Sequence, residues 1–247
     1  MFDTNVMLLK SNRGATVFTE REEVFDRPAH RRSILTAFAV VSLAVAALLI
    51  HFLIPLSWNV AATLAVQSVS FPGLHELMRL ISGFGNAPKV VIITLIALLA
   101  CNKRREAFFL TLSGLGGWLV AMQLKNLFAS DRPAADVVNV FHQWPNGSFP
   151  SGHLVFYVCF FGFLYFLARE KLPVKSVFRR AVMVPLALLI ALVGISRLYL
   201  GEHWLSDLPG SYLMGGLWLY LTLKLYRFWS GARNRQRALA ESISSYK

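Results

Sequence analysis

Three short islands of ionisable residues interrupt a chain otherwise dominated by apolar runs. KNLFASDRP (125–133) carries Lys125 and Arg132, and PSGH (150–153) ends in His153. The third, SRLYLGEHWLSD (196–207), places Arg197, Glu202, His203 and Asp207 between AVMVPLALLIALVGI and LPGSYLMGGLWLYLTL. Together they offer two imidazoles able to move protons or attack, a carboxylate spaced to orient one of them, and three cations for a negatively charged group. On a helix, His203 and Asp207 share a face because they lie four apart, whereas Glu202 points elsewhere and is expected to be solvated. Each island also has a plain reading. Lys125 and Arg132 would snorkel to lipid headgroups, His153 would be a satisfied loop histidine, and His203–Asp207 would be a structural pair.

The elements that must position these residues follow from composition. Of 247 residues, 55% are hydrophobic and only 15% charged, where a soluble domain has about 25% charged. This is the composition of a membrane protein. The net charge of +12 falls in clusters between apolar runs rather than on one surface, which argues against a nucleic-acid partner. Cys101 and Cys159 give neither a disulfide framework nor paired metal-ligand spacing, and read as small buried hydrophobes.

A membrane-crossing helix needs about 20 mostly apolar residues. Six stretches qualify, at about 33–54, 83–101, 107–124, 152–168, 181–200 and 208–226. The first begins too late, behind a charged leader (1–32), for a cleavable signal and is read as a retained span. The second is the weakest, since VVIITLIALLAC must borrow from Gly83 onward across Pro88 and Lys89. In the third, Gly114, Gly116 and Gly117 would let neighbouring helices approach closely. Residues 57–82 are expected to form an outer interfacial helix followed by a turn at Phe71-Pro72-Gly73.

This layout puts twenty of the 25 Lys and Arg residues on one side, leaving Arg79, Lys89, Lys125, Arg132 and Arg197 on the other. The positive-inside rule then makes both termini cytoplasmic and brings all three islands to the outer face. The expected fold is an all-α membrane protein, a six-helix bundle over 33–226, with a polar, frayed tail at 227–247. Asn146-Gly147-Ser148 matches a glycosylation sequon, but Asn-Gly is a common turn pair and the turn is favoured. The short loop 134–149, with Val137, Val138, Val140, Phe141 and Trp144, reads equally as a lipid entrance or an aromatic membrane anchor.

The order K-x6-R-P, P-S-G-H, S-R-x5-H-x3-D resembles the three-part signature of the type-2 phosphatidic acid phosphatase superfamily, which includes lipid phosphate phosphatases, glucose-6-phosphatase and soluble vanadium haloperoxidases. Lys125, Arg132, Pro133, Pro150, Ser151, Gly152, His153, Ser196, Arg197, His203 and Asp207 fill every position. The resemblance implies that His203 attacks phosphorus to form a phosphohistidine, with Asp207 accepting from its other ring nitrogen. It implies further that His153 protonates the leaving oxygen and then activates water. Lys125, Arg132 and Arg197 would neutralise the phosphate, the arginines as bidentate forks. Pro150 and Ser151, just ahead of a helix, would leave free N–H groups for an anion, with Gly152 allowing close approach and the Ser151 hydroxyl one more donor. Neither a metal nor another cofactor is expected.

Architecture and family together point to a lipid phosphate or diphosphate hydrolysed at the outer face of a bacterial inner membrane. Phosphatidic acid, phosphatidylglycerol phosphate, a polyprenyl diphosphate and phosphorylated lipid A are the candidates. A phosphotransferase passing the phosphoryl group to another lipid would use the same motifs. A transporter should instead show repeated halves and mid-span charges, and a catalytically dead lipid-binding protein should have lost a signature residue. The chain shows neither sign.

Overall fold

A computed structural model describes residues 51–100 and 103–245, with Ser42, Val45, Ala46, Leu48 and Leu49 ahead of them. Eight α-helices follow one another among these residues: α1 (Leu56–Gln67), α2 (Leu74–Ser82), α3 (Ala87–Ala100), α4 (Arg104–Thr111), α5 (Gly117–Phe128), α6 (Gly152–Lys171), α7 (Val177–Tyr199) and α8 (Asp207–Ser245). No strand occurs among the described residues.

The all-apolar stretch LVFYVCFFGFLYFLA becomes the middle of the bundle, because a helix hydrophobic on every face needs neighbours on every face. It forms α6, whose residues from Gly152 to Phe161 are all buried, and α7, α8 and α5 pack around it. Phe109, Phe156, Phe160, Phe163 and Tyr226 build the aromatic core. Lipid tails are as apolar as this core, so helix association rests on close packing rather than on water exclusion. Gly114 and Gly117 permit that packing: a Cβ on either would come within 2.7 Å of Phe160 Cδ2 or Cys159 Sγ. Cys159 is buried, while Cys101 lies outside the described residues.

Among the described residues, three helical stretches are long and apolar enough to cross a membrane: Arg104–Phe128, Gly152–Lys171 and Val177–Tyr199. The first contains a π turn at Leu112–Gly116, whose Leu112 carbonyl accepts from Trp218 Nε1 at 3.0 Å, a donor from α8. A fourth candidate is broken rather than straight. Leu74–Gly85 and Ala87–Leu99 meet at 66°, which corrects the expectation of a continuous span over 83–101. Asn86 is extended, with φ −73° and ψ 142°, and Pro88 in the first turn of α3 has no N–H to continue the earlier helix. Most of the span expected at 33–54 lies outside the described residues.

Residues 57–82 form two helices, with the turn at Phe71-Pro72-Gly73 as expected and Gly73 at φ +84°. Leu74, Met78 and Ile81, spaced by four and three, turn the buried face of α2 toward Leu200. At the other end α8 continues through Ser245 instead of giving way near residue 227 to a frayed tail. The Arg-, Ala- and Leu-rich sequence there has good intrinsic helix propensity.

Candidate active site

The three islands meet at one end of α6. His203 lies in the loop between α7 and α8, and Asp207 is the first residue of α8, so the pair does not share a helix as its spacing suggested. The loop nevertheless brings His203 Nδ1 to 3.1 Å from Asp207 Oδ2. The Trp204 N–H donates to the same oxygen at 3.0 Å, and the Ser148 hydroxyl donates to it by a short bond while standing 3.4 Å from His203 Nδ1. Both members of the pair are almost wholly buried. Burial pushes the His203 imidazole well below its ordinary range. The Asp207 hydrogen bond opposes the shift, and Lys125 and Arg132 add to it. Burial thereby favours the neutral form of the ring, and its Nε2 makes no hydrogen bond among the described residues.

His203 and His153 both line a small cavity of about 80 Å³, together with Lys125, Arg132 and Arg197. His153, in the first turn of α6, places Nε2 at 2.7 Å from Asn86 Oδ1. That contact is possible only because residue 85 is glycine: a Cβ there would lie 2.3 Å from His153 Cδ2. Tyr157, one turn further along α6, ties down the same corner. Its hydroxyl donates to the Ile81 carbonyl and accepts from the Phe84 N–H.

The cations are held by polar partners that fix their direction. Lys125 Nζ donates to the carbonyls of Gly147 and Ser148 at 2.7 and 3.1 Å. Arg132 donates to the Asn146 and Gly147 carbonyls, to Asn146 Oδ1 and, at 2.5 Å, to the Glu202 carbonyl. Burial and the neighbouring Arg197 lower its guanidinium to about 10, which leaves it charged at neutral pH. Arg197 is buried; Nη1 donates to Ser82 Oγ at 2.6 Å and Nη2 to Glu202, while Nε has no hydrogen-bond partner among the described residues. Asn146-Gly147-Ser148 is thus the strap that binds the first island to the third. Asn146 serves there as an acceptor for Arg132.

Two sequence expectations need revision. Glu202 is not solvated. It is 5% exposed, pairs with Arg197 and accepts from Trp144 Nε1, because Arg197 would otherwise be an uncompensated buried charge. Ser151 does not offer a free N–H to an anion. Its hydroxyl caps α6 by accepting from the Leu154 N–H at 3.5 Å, and its own N–H goes to Ser211 Oγ at 2.8 Å. Gly152 and His153 form that part of the cavity wall.

Four residues at the site escaped the sequence reading: Ser148, Asn86, Ser82 and His51. The last stands with Nδ1 3.2 Å from Asp207 Oδ1 and Nε2 3.1 Å from Ser130 Oγ, its ring stacked on Phe149 at 4.1 Å. Only Ser148 carried a local signal, as the end of the Asn146-Gly147-Ser148 stretch.

Lined by Lys125, Arg132 and the Glu202-paired Arg197 beside a carboxylate-backed imidazole, the cavity suits an anion in charge. The model of the PAP2 superfamily matches residues 105–230, just over half of the chain. Phosphatidylglycerophosphatase B of Bacillus subtilis is 28% identical over 165 residues, covering 65% of this chain and 79% of that protein. The crystal structure of a transmembrane PAP2-type phosphatidylglycerolphosphate phosphatase from Bacillus subtilis superposes with a TM-score of 0.64 at 26% identity, over 75% of this chain and 94% of the other. Aquifex aeolicus LpxE shares the fold, with a TM-score of 0.52 at 20% identity, over 68% and 95% of the two chains. Together with helices able to span a bilayer, these likenesses make the chain an integral membrane protein. The chain belongs to the PAP2 superfamily, whose match spans all three islands.

Proposed function

We propose that the chain hydrolyses a lipid phosphate through a phosphohistidine on His203. The observation that carries this reading is the buried imidazole of His203, held through Nδ1 by Asp207, beside a cavity walled by Lys125, Arg132, Arg197 and His153. His203 Nε2 attacks phosphorus, an N–P bond forms as the P–O bond to the lipid breaks, and His153 gives its proton to the departing alkoxide. Asp207 stabilises the positive charge that the ring acquires. Water, deprotonated by His153, then breaks the N–P bond and releases inorganic phosphate. The three cations and the Gly152 end of α6 hold the phosphoryl oxygens through both steps. The walls present cations and imidazoles, a set suited to an anion, so the reaction proceeds without a metal ion.

Six spans over 33–226, both termini in the cytoplasm and a cavity opening outward from a bacterial inner membrane complete the reading; the family likeness and the charge distribution support it. The test is phosphate release by detergent-purified protein across a panel of lipid phosphates and diphosphates, with the His203→Ala variant as blank. Release that survives a chelator and vanishes in the variant is expected. A well-inserted variant with near-normal release would refute the nucleophile, and loss restored only by added metal would refute the metal-free step.

A further inference from the structure

Of the five basic residues assigned by charge to the outer side, the catalytic cavity uses three and leaves Arg79 and Lys89 unexplained. Both flank the bend between α2 and α3, the corner that supplies Ser82 to Arg197 and Asn86 to His153. Arg79 lies in the last turn of α2. The Lys89 ammonium leans back over Gly83, where a Cβ would come 3.5 Å from Nζ. Both side chains are exposed, and neither makes an ion pair among the described residues.

Two larger spaces adjoin the corner. A pocket of about 590 Å³ borders the catalytic cavity, sharing Asn86, Trp144 and Arg197 with it, and has Arg79 and Lys89 on its wall. A groove of about 280 Å³ shares Arg79, Leu80, Gly83 and Lys89 with that pocket and continues over the apolar side chains of Phe84, Ile92 and Ile93. The two cations therefore stand at the junction between a polar pocket and an apolar track. A separate apolar cavity of about 560 Å³, between α5 and α8, shares no lining residue with the catalytic cavity.

The order phosphate cavity, polar pocket, paired cations, apolar groove describes a ligand in outline. We propose that Arg79 and Lys89 form a second anion subsite for the phosphodiester of a lipid whose terminal phosphomonoester sits in the catalytic cavity. A hydroxylated spacer between the two phosphates fills the pocket, where Glu76, His75 and His142 offer hydrogen-bonding partners. The acyl chains leave along Phe84, Ile92 and Ile93. Arg197 adds little net charge to the pocket because Glu202 neutralises it, and Glu76 disfavours an anion elsewhere on the wall; the cationic spot is local to the corner. Phosphatidic acid has no second anion for this spot, and a diphosphate has no spacer to reach it.

This inference rests on the phosphatase reading, and one experiment separates the two. The catalytic efficiency of the wild type and of the Arg79→Gln/Lys89→Gln variant is measured on phosphatidylglycerophosphate and on phosphatidic acid with matched acyl chains, in the same mixed micelles. The wild type should prefer the two-phosphate lipid, and the variant should lose about tenfold or more of that preference, as expected for charged hydrogen bonds, with phosphatidic acid turnover unchanged. An unchanged ratio overturns the subsite. So does an equal fall on both lipids, which would mean that the two cations only seat the protein among headgroups. If the wild type releases no more phosphate from either lipid than His203→Ala, the phosphatase reading itself falls and the subsite goes with it.

Discussion

A carboxylate stands behind His203, but only a neutral amide stands behind His153. Asp207 Oδ2 accepts from Ser148, the Trp204 N–H and His203 together, whereas Asn86 Oδ1 is 2.7 Å from His153 Nε2 with no charge of its own. A carboxylate gains most when its imidazole becomes cationic and stays so, as it would on forming a bond to phosphorus. An amide favours the charged ring less, so the ring can give up a proton and take it back within one turnover. The contrast in partners therefore matches a contrast in roles, nucleophile against acid–base.

The largest expected effect comes from exchanging the substrate as well as the residue. His203→Ala should abolish release from every phosphate ester. His153→Ala should cost about 10²- to 10⁴-fold on a lipid alkoxide, but far less on p-nitrophenyl phosphate, whose leaving group needs no proton. Measuring kcat/KM for both variants on both esters checks this. Equal losses throughout would erase the distinction between the two histidines.

Next in size is Asp207→Asn, expected to lower kcat about 10³-fold or more with little change in KM, as when an orienting carboxylate is lost from other His-based sites. The pH profile sharpens this expectation. Burial already holds the His203 imidazole below its ordinary range, so the acid limb of kcat/KM should lie below pH about 6.5. Asp207 raises that imidazole toward the ordinary range, so removing its charge should move the acid limb lower still while the plateau falls. An acid limb that moves to higher pH in the variant would show that Asp207 does not act on the reacting ring.

Much of the His203 corner was legible because its chemistry is packed into twelve consecutive residues. The first two islands also reached the cavity, since the apolar runs between them dictate helices that end on one side. The supports were not legible. Asn86 meets His153 across 67 residues and Ser148 meets Asp207 across 59, and no local spacing marks either contact. The straight span expected at 83–101 hid the corner itself, because apolar composition outweighed the break at Asn86-Ala87-Pro88. Glu202 was misjudged for a related reason: its partner Arg197 is only five residues away, but across a helix end rather than along a helix face.

Asn86→Ala should act on the other limb. The amide oxygen favours a protonated His153, so its loss should move the alkaline limb of kcat/KM to lower pH and cost about tenfold on lipid substrates. The kcat/KM for p-nitrophenyl phosphate, whose leaving group does not need the proton, should barely change. A uniform loss on both esters, with the profile unshifted, would make Asn86 a packing residue only.

The smallest effect tests whether the anionic backing of His203 extends beyond Asp207. His51 faces the second carboxylate oxygen, Oδ1, while its ring lies on Phe149. His51→Phe keeps an aromatic ring for that stack and removes the nitrogen, so kcat should fall only a few-fold, in line with a weak polar contact at the edge of a network. The informative measurement is the double variant. If His51 acts through the carboxylate, His51→Phe should cost almost nothing in the Asp207→Asn background, because contacting residues in one network are not additive. The same few-fold loss in both backgrounds would mean that His51 supports the site through Ser130 or Phe149, and that Asp207 is the only residue separating the two histidines.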